Sequence, residues 1–149
     1  MTDPDPEHLL ATARRFVESI PYALLTGMVV EELAPGLAAL SMPYDAQLVG
    51  DPVTGVLHGG AVFALMDTAS GTAVMSRPEA PLRTATLDLR VDYMRPATPG
   101  QRSTARAECH HVTRTVAFVR VTATDDDEAR PVATATGAFT FDRGGADGG

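Results

Sequence analysis

Hydrophobic spacing along this chain follows a helical period in its first half and a strand period in its second. From Glu7 to Ile20, the residues Leu9, Leu10, Ala13, Phe16, Val17 and Ile20 recur at helical intervals, which predicts an amphipathic helix ended by Pro21. Gly27 to Leu33 and Leu37 to Tyr44 read as two strands about the turn Ala34-Pro35-Gly36. Asp45 to Val56 carries Gly50, Asp51, Pro52 and Gly55 and reads as a loop. A long helix then runs from Gly59 to Met75, closed by Arg77-Pro78. Beyond it the alternation is strict. Ala85, Leu87, Leu89, Val91 and Tyr93 are apolar and Thr86, Asp88, Arg90 and Asp92 polar, the pattern of a half-buried strand.

Three further strands follow. Ser103 to Val112 turns Ala105, Ala107 and Cys109 inward, and Thr115 to Ala123 does so with Ala117, Val119 and Val121. Pro131 to Phe141 sets Ala133, Ala135, Gly137, Phe139 and Phe141 on one face. Between the last two, Asp125-Asp126-Asp127-Glu128 reads as a solvated turn without the spaced ligands of a calcium loop. Residues 1–6 read as a disordered lead, 7–142 as a single domain and 143–149 as a Gly-rich disordered tail. Successive strands with short turns imply an antiparallel sheet. The class is α+β. One long central helix, rich in Ala and Gly, is wrapped by a curved antiparallel sheet of about six strands, with an N-terminal helix added, which is the hotdog architecture.

The central helix carries the candidate chemistry. Asp67 is the one carboxylate in Leu57-His58-Gly59-Gly60-Ala61-Val62-Phe63-Ala64-Leu65-Met66-Asp67-Thr68-Ala69. A helix apolar on all sides is a buried helix, and a buried carboxylate is kept only by hydrogen bonds, pairing or chemistry. Ahead of it, the bare backbone of Gly59 and Gly60 can approach a ligand closely, and a helix start there leaves N–H groups free for an oxyanion. Gly59 and Asp67 are eight residues apart, roughly 12 Å along one helix. They cannot both reach one carbonyl from the same helix, so a site using both needs two copies of the chain, an obligate homodimer at least.

Composition narrows the partners. The net charge is −7, and all twelve basic residues are Arg, without the basic stripe of a nucleic-acid surface. The longest apolar run, Ala61 to Met66, is too short to cross a bilayer. Cys109 is the only cysteine and cannot form an internal disulfide. The acidic, Pro-rich start does not fit a secretory signal, so the expected location is the cytoplasm, with neither nucleic acid nor membrane as partner. His110-His111 has no partner spacing for a metal, and no metal site is expected.

Three segments resemble the hotdog-fold acyl-CoA thioesterases of the phenylacetate-pathway (PaaI-like) family. They are Leu57-His58-Gly59-Gly60 with Asp67 nine residues after the His, Thr86 to Ala97 with its Tyr93-x-x-Pro96 ending, and Arg114-Thr115-Val116-Ala117-Phe118. The resemblance spans roughly residues 22–141. It implies hydrolysis of a medium-chain or aromatic acyl-CoA to free acid and CoA, with no cofactor. It assigns Asp67 as base or nucleophile, the Gly59 N–H as oxyanion donor and Thr86 as the hydroxyl orienting water or the acid. Arg114 would lie near the CoA moiety, with Gly60 and Phe63 beside the substrate. Phe63, Met66 and Tyr93 are the expected apolar lining, and His58 the residue that orients the turn or acts directly. Family dimers often assemble further, so a homotetramer is expected. One departure is visible: where the family often has Asn or Gln, six residues before the His, this chain has Pro52, beside Asp51. The alternative reading is a non-catalytic module that binds acyl-CoA or another small ligand.

Overall fold

The helix of seventeen residues at the centre of the fold, Gly59–Met75 (α3), starts where the local chemistry starts it. His58 is extended and caps it, and the run that follows contains no proline. Past Met75, the Ser76 hydroxyl bonds back to the Ala73 carbonyl and also ties the Ala34 carbonyl and Gly36 N–H of the first hairpin's turn. The structure, a computed structural model, describes residues 5–144.

Around α3 curves a six-stranded antiparallel sheet. Its strands are Val29–Ala34 (β1), Leu37–Met42 (β2), Thr86–Tyr93 (β5), Ser103–Val112 (β6), Val116–Thr124 (β7) and Ala133–Thr140 (β8), in the spatial order β1-β2-β6-β7-β8-β5. The expected hotdog arrangement is therefore the observed one. Alternation places Ala105, Ala107, Cys109, Ala117, Val119, Val121, Ala133 and Ala135 against α3. Small side chains there let the sheet approach the helix closely. Leu65, Met66, Leu40, Met42, Phe139 and Phe141 fill the remaining space and are essentially inaccessible. Removing one of them down to Ala would cost about 2–5 kcal/mol, the loss of transfer energy plus the cavity left behind.

Several details differ from the sequence pattern. Helix α1 spans Pro6–Ser19 with Asp5 capping it, so the fold begins inside the stretch read as a lead; residues 1–4 and 145–149 lie outside the described residues. Phe16, expected on the apolar face of α1, is 57% exposed, while Val17 is buried. Pro21 does end α1, but it also opens a second helix, Pro21–Thr26 (α2), because proline suits a first helical position. Gly27, in the left-handed region at φ +74°, closes α2. The loop expected at 45–56 holds a short hairpin, Val49–Asp51 (β3) with Val56–Leu57 (β4), too short to show an alternation. Asp125 is not solvated: its side chain is 1% exposed and paired with Arg95.

The largest departure is at β5. Its odd positions were expected to face inward, yet Leu87 and Tyr93 are exposed and Leu89 and Val91 only half-buried. β5 is an edge strand, bonded to β8 on one side only, with a bulge between Thr86 and Asp88. Among the described residues no helix is long and apolar enough to cross a membrane.

Candidate functional site

The first turn of α3 is capped by His58. His58 Nδ1 accepts the Gly60 N–H at 2.8 Å, and the His58 carbonyl accepts the Ala61 N–H at 2.9 Å. The Gly59 N–H has no acceptor among the described residues. Its position at a helix N-terminus gives it the partial positive charge that attracts an oxyanion. His58 is thus a capping residue, in keeping with the expectation that it orients the turn. A Cβ at residue 60 would lie 2.8 Å from His58 Nδ1, so this cap requires glycine there.

Tyr93, at the far end of β5, donates its hydroxyl to the Gly59 carbonyl at 2.9 Å. Its ring lies over Gly59 so closely that a Cβ there would sit 3.3 Å from Cζ. Although the Tyr93 side chain as a whole is exposed, partial desolvation pushes its phenol above the ordinary value of 10.0, so the hydroxyl remains a donor at neutral pH.

Asp67 lies seven residues after Gly60 and four after Phe63, on the face of α3 that those exposed residues mark. It is half-buried rather than buried as expected. The Thr86 hydroxyl, at the opposite end of β5, donates to Asp67 Oδ1 at 2.6 Å. That single bond fixes the carboxylate's orientation and leaves Oδ2 free to accept a proton or attack. β5 therefore touches α3 at both candidate groups, Asp67 through its first residue and Gly59 through its last.

A cleft of about 430 Å³ opens beside the N-terminus of α3, lined by Leu57, Gly59, Val62, Tyr93, Met94 and Ala97 among others. Of the expected lining, Tyr93 is there, Met66 is sealed in the core, and Phe63 is partly exposed on α3 outside the cleft. A second hollow, about 470 Å³, lies on the outer sheet face among Arg106, Glu108, Arg120 and Thr136 and contains none of these groups. Arg114 stands exposed in the β6–β7 turn with no bonded partner among the described residues. Asp51 does not replace the amide missing at Pro52: its carboxylate is taken up within its own turn by the Val53 N–H and the Thr54 hydroxyl. Among the described residues no three His, Cys, Asp or Glu side chains converge as metal ligands.

The cleft wall after Tyr93 is held by groups whose role the sequence did not signal. Arg95 grips both oxygens of Asp125 at 2.8 and 2.7 Å and also donates to the Arg130 carbonyl. Asp125 further accepts from the N–H and hydroxyl of Thr98. The Arg95 bond above all, with the others, holds the Asp125 carboxyl far below the usual carboxylate range.

Comparison with known proteins agrees with this fold. The thioesterase superfamily pattern matches residues 54–132, from the β3–β4 turn through α3 and on to the end of β7 and the turn after it. The medium/long-chain acyl-CoA thioesterase YigI of Escherichia coli is 29% identical over 137 residues, covering 83% of this chain and 87% of YigI. A Pseudomonas aeruginosa protein of known structure is 40% identical and superposes with a TM-score of 0.78, over 89% of this chain and 98% of that one. A variant of the phenylacetic acid degradation protein PaaI from Thermus thermophilus is 33% identical with a TM-score of 0.71, covering 81% and 98%. The chain belongs to the thioesterase superfamily and is a thioester hydrolase of the PaaI-like, hotdog-fold type.

Proposed function

We propose that the protein hydrolyses medium-chain or aromatic acyl-CoA thioesters at sites shared between two copies of the chain. The observation that carries this reading is the pair of bonds at the ends of β5: Thr86 to Asp67 and Tyr93 to Gly59. Within one chain the two groups stand roughly 12 Å apart along α3, too far to act on one carbonyl. Among the described residues the outer edge of β5 is unpaired, and the strand carries exposed apolar side chains at Leu87 and Tyr93. Such an edge invites pairing with a second strand. Antiparallel pairing of β5 with itself about a two-fold axis at its middle sets the Thr86 end of one protomer beside the Tyr93 end of the other. Asp67 of one chain then faces Gly59 of its partner, twice per dimer.

The chemistry follows from these groups. The substrate's thioester oxygen takes the Gly59 N–H, worth about 3–4 kcal/mol of barrier for one preorganised donor. Asp67 either removes a proton from water, whose oxygen attacks the carbonyl carbon, or attacks that carbon itself to give an anhydride that water opens. Collapse of the tetrahedral adduct expels the CoA thiolate, a leaving group that needs no strong acid. Thr86 holds the carboxylate in register for either course. The largely apolar cleft has room for a medium-chain or aromatic acyl group. To Arg114, exposed and without a bonded partner among the described residues, we assign a phosphate of CoA. The E. coli relative named as a medium/long-chain acyl-CoA thioesterase supports CoA as the carrier.

The test is thiol release from phenylacetyl-, benzoyl- and straight-chain acyl-CoAs by the wild type and Asp67→Asn. Asn keeps the acceptor for Thr86 but not the charge, so turnover should fall at least about a hundredfold. A wild type that binds these esters without cleaving any of them would sink the reading.

A further inference from the structure

We propose that Tyr93 and His58 grip the peptide between Gly59 and Gly60 from its two sides, and that Tyr93 is thereby a positioning residue for the oxyanion donor. The inference rests on the role assigned above to the Gly59 N–H, and it concerns what keeps that N–H aimed.

A trans peptide presents its N–H and C=O on opposite sides. In the Gly59–Gly60 peptide, the N–H goes to His58 Nδ1 at 2.8 Å and the C=O receives the Tyr93 hydroxyl at 2.9 Å. Both polar groups of one peptide unit are thus held by side chains, one from each side. The neighbouring His58–Gly59 peptide, turned by the same glycine, carries the N–H that is left free. Two consecutive glycines have no side chains to anchor them by packing and form the loosest stretch of backbone available. The first turn of a helix is also where fraying begins. An oxyanion donor must nonetheless hold its direction to within about 10–20° to work. The two side-chain bonds supply the restraint that the glycines cannot.

The hydroxyl itself is delivered from a fixed point. Directly after Tyr93, the N–H groups of Met94 and Arg95 both reach the Val132 carbonyl, at 2.8 and 3.2 Å. Arg95 is then locked to Asp125, whose side chain is 1% exposed. The chain of support runs from Asp125 through Arg95 to the end of β5, and through the Tyr93 ring to Gly59. A residue that only lines an acyl cleft would need neither the hydroxyl nor this anchoring.

Tyr93→Phe keeps the ring over Gly59 and deletes the hydroxyl alone. Expected are a fall of about tenfold in kcat, smaller than deletion of the donor would give, a KM within about twofold of wild type, and displaced Gly59 and Gly60 amide resonances in 1H–15N spectra. A raised KM with kcat intact would make Tyr93 a lining residue and overturn the inference, as would unmoved amide resonances. If the wild type cleaves no acyl-CoA, the functional reading fails, and the amide resonances still decide the clamp. Should Tyr93→Phe not fold, His58→Ala releases the other side of the same peptide. A loss in kcat with KM held supports the clamp there too, and an unchanged kcat overturns it.

Discussion

Gly59 offers an unusually clean way to remove one hydrogen-bond donor. It occupies the first helical position, where proline is tolerated, and His58 before it is already extended at φ −58° and ψ 134°, as a residue preceding proline prefers. Gly59→Pro deletes the free N–H; Gly59→Ala adds a comparable Cβ against the Tyr93 ring and keeps the N–H. We expect Gly59→Pro to lower kcat about a hundredfold or more below Gly59→Ala, measured side by side by thiol release. Equal activity of the two variants would remove the N–H from the mechanism. At this scale much was legible in the sequence. Gly59, Gly60 and Asp67 sit in one continuous helix that His58 caps, where spacing translates directly into geometry. The hydroxyl bond of Tyr93 to Gly59 was not legible, because it joins positions 34 residues apart and only the sheet brings them together.

Among the elements, the segment that follows β5 should lose stability in acid. Bonding to Arg95 lowers the Asp125 carboxyl in the folded chain relative to its ordinary value of 3.8. A depressed carboxyl contributes stability above its unfolded value and loses that contribution as pH falls toward its folded value. Replacing Asp125 by Asn at neutral pH leaves the Arg95 guanidinium without its counter-charge in a largely enclosed site, at a cost of about 3 kcal/mol. Urea unfolding should show this deficit at pH 7 and a shrinking gap between the two proteins below about pH 4. A gap that stays constant into acid would mean the pair is not ionic. The sequence concealed this element for a physical reason. Four consecutive acids look solvated in any local window, and only the fold turns the first of them inward to meet an arginine 30 residues earlier. The same limit explains β5 itself. Alternation reports which residues share a face, but not whether the chain's own sheet covers that face.

In the whole molecule, a site divided between protomers predicts rescue on mixing. Asp67→Asn lacks one half of each site and Gly59→Pro the other. A mixed dimer joins the intact Gly59 of the first variant to the intact Asp67 of the second, giving one complete site and one doubly broken one. Mixing equal amounts after dissociation should return about one quarter of wild-type activity, since about half the dimers are mixed and each carries one working site of two. No recovery despite proven mixing would place each site within a single chain. The two ends of β5 also bear on inheritance. A gene for such a chain, once duplicated, can lose the carboxylate in one copy and the donor in the other without losing the reaction. After both losses neither copy suffices alone, and what began as a symmetric pair has become an obligate partnership of two genes.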